Sequence, residues 1–462
     1  MTALKPAERA ATGGTPGGPA SRFPAVTLWW LSPVAVTLFI GTVAVVLTAA
    51  VGDADFRRYW DEPKLVTTET LVLFECGVLA FALAALIATT VAAPRTGLTG
   101  PWPNLSPATE RLLRRASTVL TTLTLAGYLG FAIAIARSGL SLAELFGDVD
   151  NPWDAPVKIA IGTIPGVTTL TQVGMAAATV SSVLLAQRFT RAELARLVTV
   201  LTLSVPRAYI YSERLALLEL AVPAVVVGAA WLSNRSRRQR AIAKATPVAG
   251  LAVVGVLFAV FEYFRSWQFY RQRGDMSFWE FAANRLAGYY ATAINNGQVI
   301  LDHLAFPGRL PFDTLDAFWS LQGVYQLRLY EVLGGHDRPY AKSGDEESPY
   351  FHALAQAANP EFNNPSGYVA PFVDYGPVGG LMFFALIGVV TGLLYRAFAS
   401  GHLVGLLVYP FVFTGFVELP RYLYWFQGRC TYSWLALAVV LVLAAVVRRR
   451  ERRRELLVAA TE

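Results

Sequence analysis

Charge is what this chain has least of. Only 15% of its 462 residues are Asp, Glu, Lys or Arg, against roughly a quarter in an ordinary globular domain. Cysteine is nearly absent. Cys76 and Cys430 form neither a CxxC pair nor a metal-ligand spacing, so no disulfide, no metal and no cofactor is expected. Repeats are missing too: no 20–50-residue period recurs, and no inverted halves of the transporter kind appear. These absences exclude a single soluble core, a disulfide scaffold and a solenoid. The net charge of +7 comes largely from arginine clusters flanking apolar blocks, which reads as membrane orientation and not as nucleic-acid binding.

In place of charge the chain carries hydrophobic residues, 54% of the total, with a mean hydropathy of +0.44. They lie in long blocks without the short alternation of barrel strands. In hydrocarbon every backbone polar group must be paired within the chain, so the expected fold is an all-α polytopic bundle. About ten spans are expected, near 25–51, 67–91, 117–136, 165–187, 194–210, 214–233, 246–264, 372–396, 402–419 and 430–447. Arginine accumulates after the second, fourth and sixth spans and after the last, while Asp53, Asp55, Asp61, Glu62, Glu144, Asp148, Asp150 and Asp154 enrich two odd-numbered loops in acid. That asymmetry puts both termini in the cytoplasm. The chain then divides into a disordered tail (1–23), seven spans (24–264), an extracytoplasmic loop (265–371), three spans (372–447) and a basic cytoplasmic tail (448–462). Within the loop, Ser277–His303 has helical periodicity and reads as an amphipathic helix on the outer leaflet or capping the bundle. Residues 334–350 read as a flexible loop or lid.

The informative residues break the orientation rule. Arg207, Arg214, Arg265, Arg271, Arg273, Arg421 and Arg429 all fall at or near the outer ends of spans. Charge beside hydrocarbon usually faces the bundle interior or a wet cavity, and the guanidinium fork suits phosphate oxygens. One reading is a pocket for a lipid-linked phosphate or diphosphate. The other is snorkelling, or pairing with Glu213, Glu219, Glu262 and Glu418. In Pro206–Arg214 the proline is expected to break the helix at membrane depth, with Glu213 serving as partner of Arg214 or as a base. Asn363–Gly380 combines amides, turn residues and aromatics before a span. Asn363, Asn364 and Tyr368 read equally as interfacial belt residues or as a sugar-binding turn, and Gly376, Gly379 and Gly380 as sites of close helix approach.

Here the sequence resembles the Wzy-like oligosaccharide repeat unit (O-antigen) polymerases. The run Asp374-Tyr375-Gly376-Pro377-Val378-Gly379 is similar to that family's Asp-aromatic-Gly-x-x-Gly sequence opening a late span. Ser212-Glu213-Arg214-Leu215 resembles its Ser-Arg segment with Glu213 inserted, and Asn284–Gly297, which contains Arg285, resembles the stretch after its outer arginines. The resemblance implies a metal-independent glycosyltransferase in the cell membrane with its site facing outside. It would join polyprenyl-diphosphate-linked oligosaccharide units into a cell-surface polysaccharide, alongside membrane lipid and a flippase or chain-length partner. It implies Arg214, Asp374 and Glu213 as catalytic, with Arg207, Arg265, Arg273, Arg285, Arg421, Arg429, Tyr368, Asn363 and Asn364 holding substrate. Fixed arginines would stabilise the leaving diphosphate, and Asp374, Glu213 or His303 would take the acceptor proton; Asp374 reads equally as a helix-capping or tyrosine-bonded residue. Two rivals stand beside it. Asp53-Ala54-Asp55 fits a polyprenyl-phosphate-sugar glycosyltransferase, with a glycan ligase indistinguishable from sequence, and a transporter of anionic lipid or glycan would want charge near the midplane.

Overall fold

A computed structural model describes residues 28–90, 105–141, 144–145, 156–211, 213, 215–233, 235–272, 276–304, 310–335, 338 and 349–461. Every regular element among them is helical. Eight helices are long and apolar enough to cross a membrane: α1 (Pro33–Ala50), α3 (Thr68–Thr90), α4 (Pro107–Ser138), α5 (Thr168–Gln187), α7 (Leu215–Ser233), α8 (Arg237–Glu262), α11 (Ala370–Ala399) and the last, Gly428–Ala459, whose α-helical part is α13 (Thr431–Ala459). Between them lie α2 (Asp53–Trp60), α6 (Arg191–Ile210), α9 (Phe278–His303), α10 (Pro349–Ala357) and α12 (Leu403–Glu418).

Two of the ten expected spans, α6 and α12, fall outside the eight long apolar helices. α6 carries Arg191, Glu193, Arg196 and Arg207. Its Glu193 is fully buried on Ser117 Oγ (2.7 Å) and Arg196, while Leu194, Val198 and Val205 on the same helix are exposed. α12 has 16 residues, about 24 Å of rise against a hydrocarbon core of about 30 Å. It is buried on nearly every side, as a helix apolar all round must be. Pro206, expected to break α6, lies inside it, and the helix ends instead at Ile210. The basic C-terminal tail continues α13 as helix to Ala459. The expected tail 1–23 and nearly all of the expected lid lie outside the described residues.

The tightest helix pair is α3 against α11. A Cβ on Gly388 would strike the Phe81 carbonyl, and one on Gly392 would sit 2.8 Å from the Ala85 carbonyl oxygen and 2.8 Å from Ala88 Cβ. This small-residue spacing lets the backbones touch, as membrane helices need in the absence of a hydrophobic drive. The glycines expected to do so stand elsewhere. Gly379 and Gly380 face Tyr375 and Phe372 of their own helix. Gly376 kinks α11 at φ 71°, ψ 179°, a conformation essentially reserved for glycine.

One pole of the bundle is built from 61–67, α9, 310–335, 359–368 and 419–430. α9 does not lie on a leaflet. Residues 291–300 are buried all round, because its amides pin neighbouring loops. The Asn295 oxygen accepts from Leu65 N (2.7 Å) and Val66 N (2.9 Å), and its nitrogen donates to Glu62 Oε1 (3.1 Å) and the Pro63 carbonyl (2.8 Å). Glu62 is 1% exposed, and its second oxygen accepts from Asn359 N (3.4 Å).

Two predictions follow from this packing. Gly388→Leu forces α3 and α11 apart and is expected to cost about 1–3 kcal/mol, read as a lower melting midpoint in detergent; an unchanged midpoint would sink the close-approach account. Burial raises the Glu62 pKa from 4.5 to about 8, so the folded form binds a proton that the unfolded chain has released. Stability is therefore greatest below about pH 4.5, falls as pH rises toward 8 and levels above it. Glu62→Gln should flatten that slope in melting midpoints taken from pH 5 to 8.5, and an identical slope in the variant would remove Glu62 as its source.

Candidate functional site

Among the described residues, Arg207, Arg285, Arg421 and Arg429 gather at this pole in two groups. In the first, α6 delivers Arg207, the turn to α7 delivers Glu213, α7 delivers Glu219, and the short turn before α13 delivers Arg429. With Tyr128, Thr171, Gln172, Met175, Ala216 and Leu220 they line a cavity of about 160 Å³. Arg207 donates from Nη1 to Thr171 Oγ1 (3.2 Å) and from Nη2 to Glu213 Oε2 (3.0 Å), and its guanidinium lies 5.0 Å from the centre of the Phe131 ring. Arg429 Nη1 donates to Glu219 Oε1 (3.1 Å). Its side chain is 37% exposed and that of Arg207 19%. The Arg207 Nε has no hydrogen-bond partner although it is buried.

The second group is closed. Arg285 of α9 is ion-paired to Glu361 and to Glu262 (3.6 Å), lies 4.7 Å from the Phe362 ring centre, and has a side chain only 7% exposed. Tyr270 donates to the other Glu361 oxygen at 2.6 Å. Burial pulls the Arg285 pKa down, but Glu262 and Glu361 more than reverse it and hold the guanidinium charged. Nearby, Arg421 donates to Glu418 Oε2 (2.8 Å) and to Asn364 Oδ1 (3.5 Å), and stands 5.2 Å from the Tyr289 ring centre. Tyr422 feels both Arg421 and Arg429, so the two groups share the 419–430 segment as a wall.

No protein-family model, characterised protein or solved structure matches the chain. Function is read from the site alone.

Of the residues expected to act, Arg207, Glu213 and Arg429 come together. Arg285 belongs to the closed knot, and Arg421, with a side chain 19% exposed, stands beside it on Glu418. Arg214, Arg273 and the side chain of Arg265 lie outside the described residues. Glu213, expected beside Arg214, accepts from Arg207. Asp374 has a different task from the base proposed for it. Its two carboxylate oxygens accept from Phe312 N (2.9 Å), Asp313 N (3.4 Å), Thr314 N (2.8 Å) and Thr314 Oγ1 (2.6 Å), which fills the lone pairs a base would use. Asp374 therefore caps the 313–315 turn. Tyr368 is 1% exposed, packed on Phe74 and Phe384, and Asn364 is 2% exposed, so neither offers a sugar-binding face. Asn363 is exposed and uses its carbonyl to accept from Tyr350. His303 is exposed at the end of α9, away from the cavity lining. Asp53, of the rival acidic pair, is held by Arg57 Nε (2.8 Å) and Lys64 N (2.8 Å).

Sequence reading missed Tyr128, Thr171, Gln172, Glu361 and Asp316. They are single polar residues in unpatterned segments, and no spacing marks them.

Arg285→Ala would leave two buried carboxylates without their shared cation, at a cost of about 3–5 kcal/mol. Arg285→Lys should restore only part of it, because one ammonium cannot reproduce the fork. Chemical denaturation in detergent checks both; an alanine variant as stable as the parent would show the knot contributes nothing.

Proposed function

We propose that the chain is a membrane glycosyltransferase that lengthens a glycan carried on polyprenyl diphosphate, with the Arg207–Arg429 cavity as the seat of the diphosphate. The observation that carries the reading is the convergence of two guanidinium groups, one from α6 and one from the turn before α13, on one polar cavity at a pole of the bundle. Its size is consistent. At about 160 Å³ it is smaller than the roughly 300–1,000 Å³ of pockets that enclose drug-sized ligands. It fits a phosphate head and leaves an oligosaccharide outside.

Glu213 and Glu219 set the terms. They neutralise the two arginines at rest, so an incoming anion must take over guanidinium donors now held by carboxylates. Phosphate oxygens accept bidentately as a carboxylate does, which makes the exchange chemically even. In the transfer, the acceptor hydroxyl attacks the anomeric carbon of the donor glycan. The anomeric carbon–oxygen bond to the diphosphate breaks, and the arginines bind the charge that develops on the departing oxygen. The hydroxyl proton passes to Glu213, the cavity carboxylate that Arg207 releases. The acidic odd loops and arginine-rich even connections favour an outward-facing site.

Deleting the protein in its host and resolving lipid-linked glycans on a gel tests the reading. Single repeat units should accumulate. Arg207→Ala and Arg429→Ala should each lower chain extension on re-expression by about 10²–10³-fold, and Arg214→Ala should abolish it, each with the protein still inserted. Unchanged glycan lengths on deletion would overturn the proposal.

A further inference from the structure

Arg429 does not stand on a rigid helix. It is the middle residue of a three-residue 3₁₀ turn, Gly428–Cys430, ahead of α13. A guanidinium on such a turn is only as well aimed as the turn is held. The bundle supplies one support: Gln172, whose side-chain amide faces the carbonyls of Gly428 (3.3 Å) and Arg429 (3.2 Å). The others come from the 310–335 segment. Asp316 Oδ2 accepts from Gly428 N (2.8 Å), and its Oδ1 accepts from Ser320 Oγ (2.8 Å). Thr431 Oγ1 donates to the Ala317 carbonyl (2.8 Å). The fit is close enough that a Cβ on Gly428 would lie 2.5 Å from both Cβ and Oγ of Ser320.

The other end of the same segment is held by Asp374. Its carboxylate takes the N–H groups of Phe312, Asp313 and Thr314, and Thr314 Oγ1 also meets Tyr375 Oη at 2.8 Å. Only one residue separates Thr314 from Asp316. The segment's own aromatic core of Phe312, Trp319 and Tyr330 stiffens the bridge.

We infer that Asp316 is the positioning residue for Arg429, and that the 310–335 segment completes the cavity by clamping the 428–430 turn between Asp316 and the bundle. Two sets of hydrogen bonds joined by a short stretch of backbone link α11 to the cavity: Asp374 holds the 312–314 backbone, Leu315 connects it to Asp316, and Asp316 holds Gly428 N beside Arg429. The acidic residue that opens the α11 sequence acts on the site at a distance, without touching substrate. The seating of the turn stands on these contacts alone; its consequence for phosphate rests on the function proposed above.

The test uses the purified full-length protein in detergent, with hydrogen–deuterium exchange of peptides covering 424–431 and the melting shift induced by inorganic pyrophosphate. Asp316→Ala should speed exchange in 424–431 by tenfold or more and abolish the pyrophosphate shift, while exchange in α3 and in α11 beyond Gly380 stays as in the parent. Asp374→Asn, which does not touch the turn, should loosen 424–431 as well. Asp316→Asn keeps an acceptor for Gly428 N and should recover most of the protection. If Asp316→Ala cannot be purified folded, Gly428→Ala opens the same joint from the other side. Parental exchange in 424–431 for whichever of these two variants is recovered overturns the inference. Loosening of the turn in a protein whose parent shows no pyrophosphate shift supports the positioning role and overturns the phosphate seat.

Discussion

A guanidinium beside hydrocarbon cannot lose its proton and cannot be left bare, and that constraint organises this molecule. Arg207, Arg285, Arg421 and Arg429 each reach the same pole, and each rests against a carboxylate. Two of them reach far along the chain: Arg429 meets Glu219 of α7, and Arg285 of α9 meets both Glu262 of α8 and Glu361 of the 359–364 loop. These pairs add charged ties between elements that aromatic contacts such as Phe258–Tyr289 and Tyr289–Phe362 also join. Breaking one strands a charge in a medium that cannot solvate it, so each pair resists rearrangement more than its net contribution to stability suggests.

The same pairing serves two ends, and exposure separates them. Around Arg285 the knot is closed by aromatic rings and two carboxylates, and its charge is spent on architecture. Around Arg207 and Arg429 the pairs are partly open to a cavity, so their donors can be exchanged for those of a ligand. A site of this kind arises from ion pairs already required by the fold, with one wall left unfilled.

How much of this was legible varied with how local the signal is. The eight long apolar helices follow from hydropathy, since a backbone in lipid has no alternative to the helix. α9 was legible as a helix from its periodicity, but its surroundings were not. The amides at Asn295, Asn296 and Gln298 look like a wet face and are instead buried anchors. Pro206 misled because its missing N–H was tolerated within α6, and the chain breaks four residues later. Arg207, Glu213 and Arg429 were legible as a candidate site because charge at a span end is rare enough to notice. Asp374 was noticed through the Asp374–Gly379 run, and of its two readings, base or cap, its carboxylate makes the contacts of a cap.

What the sequence alone determined is the solvent for which the chain is built, the helical form of nearly every segment and the small set of charges that had to be accounted for. These depend on composition and on spacing along one helix. Tertiary structure alone decided which carboxylate each arginine meets, that Asp316 and Asp374 clamp one segment across the pole, and that Arg207 and Arg429 share a cavity. Those outcomes join residues up to 222 positions apart, and pairing over such separations depends on how helices pack side by side, which no local pattern encodes.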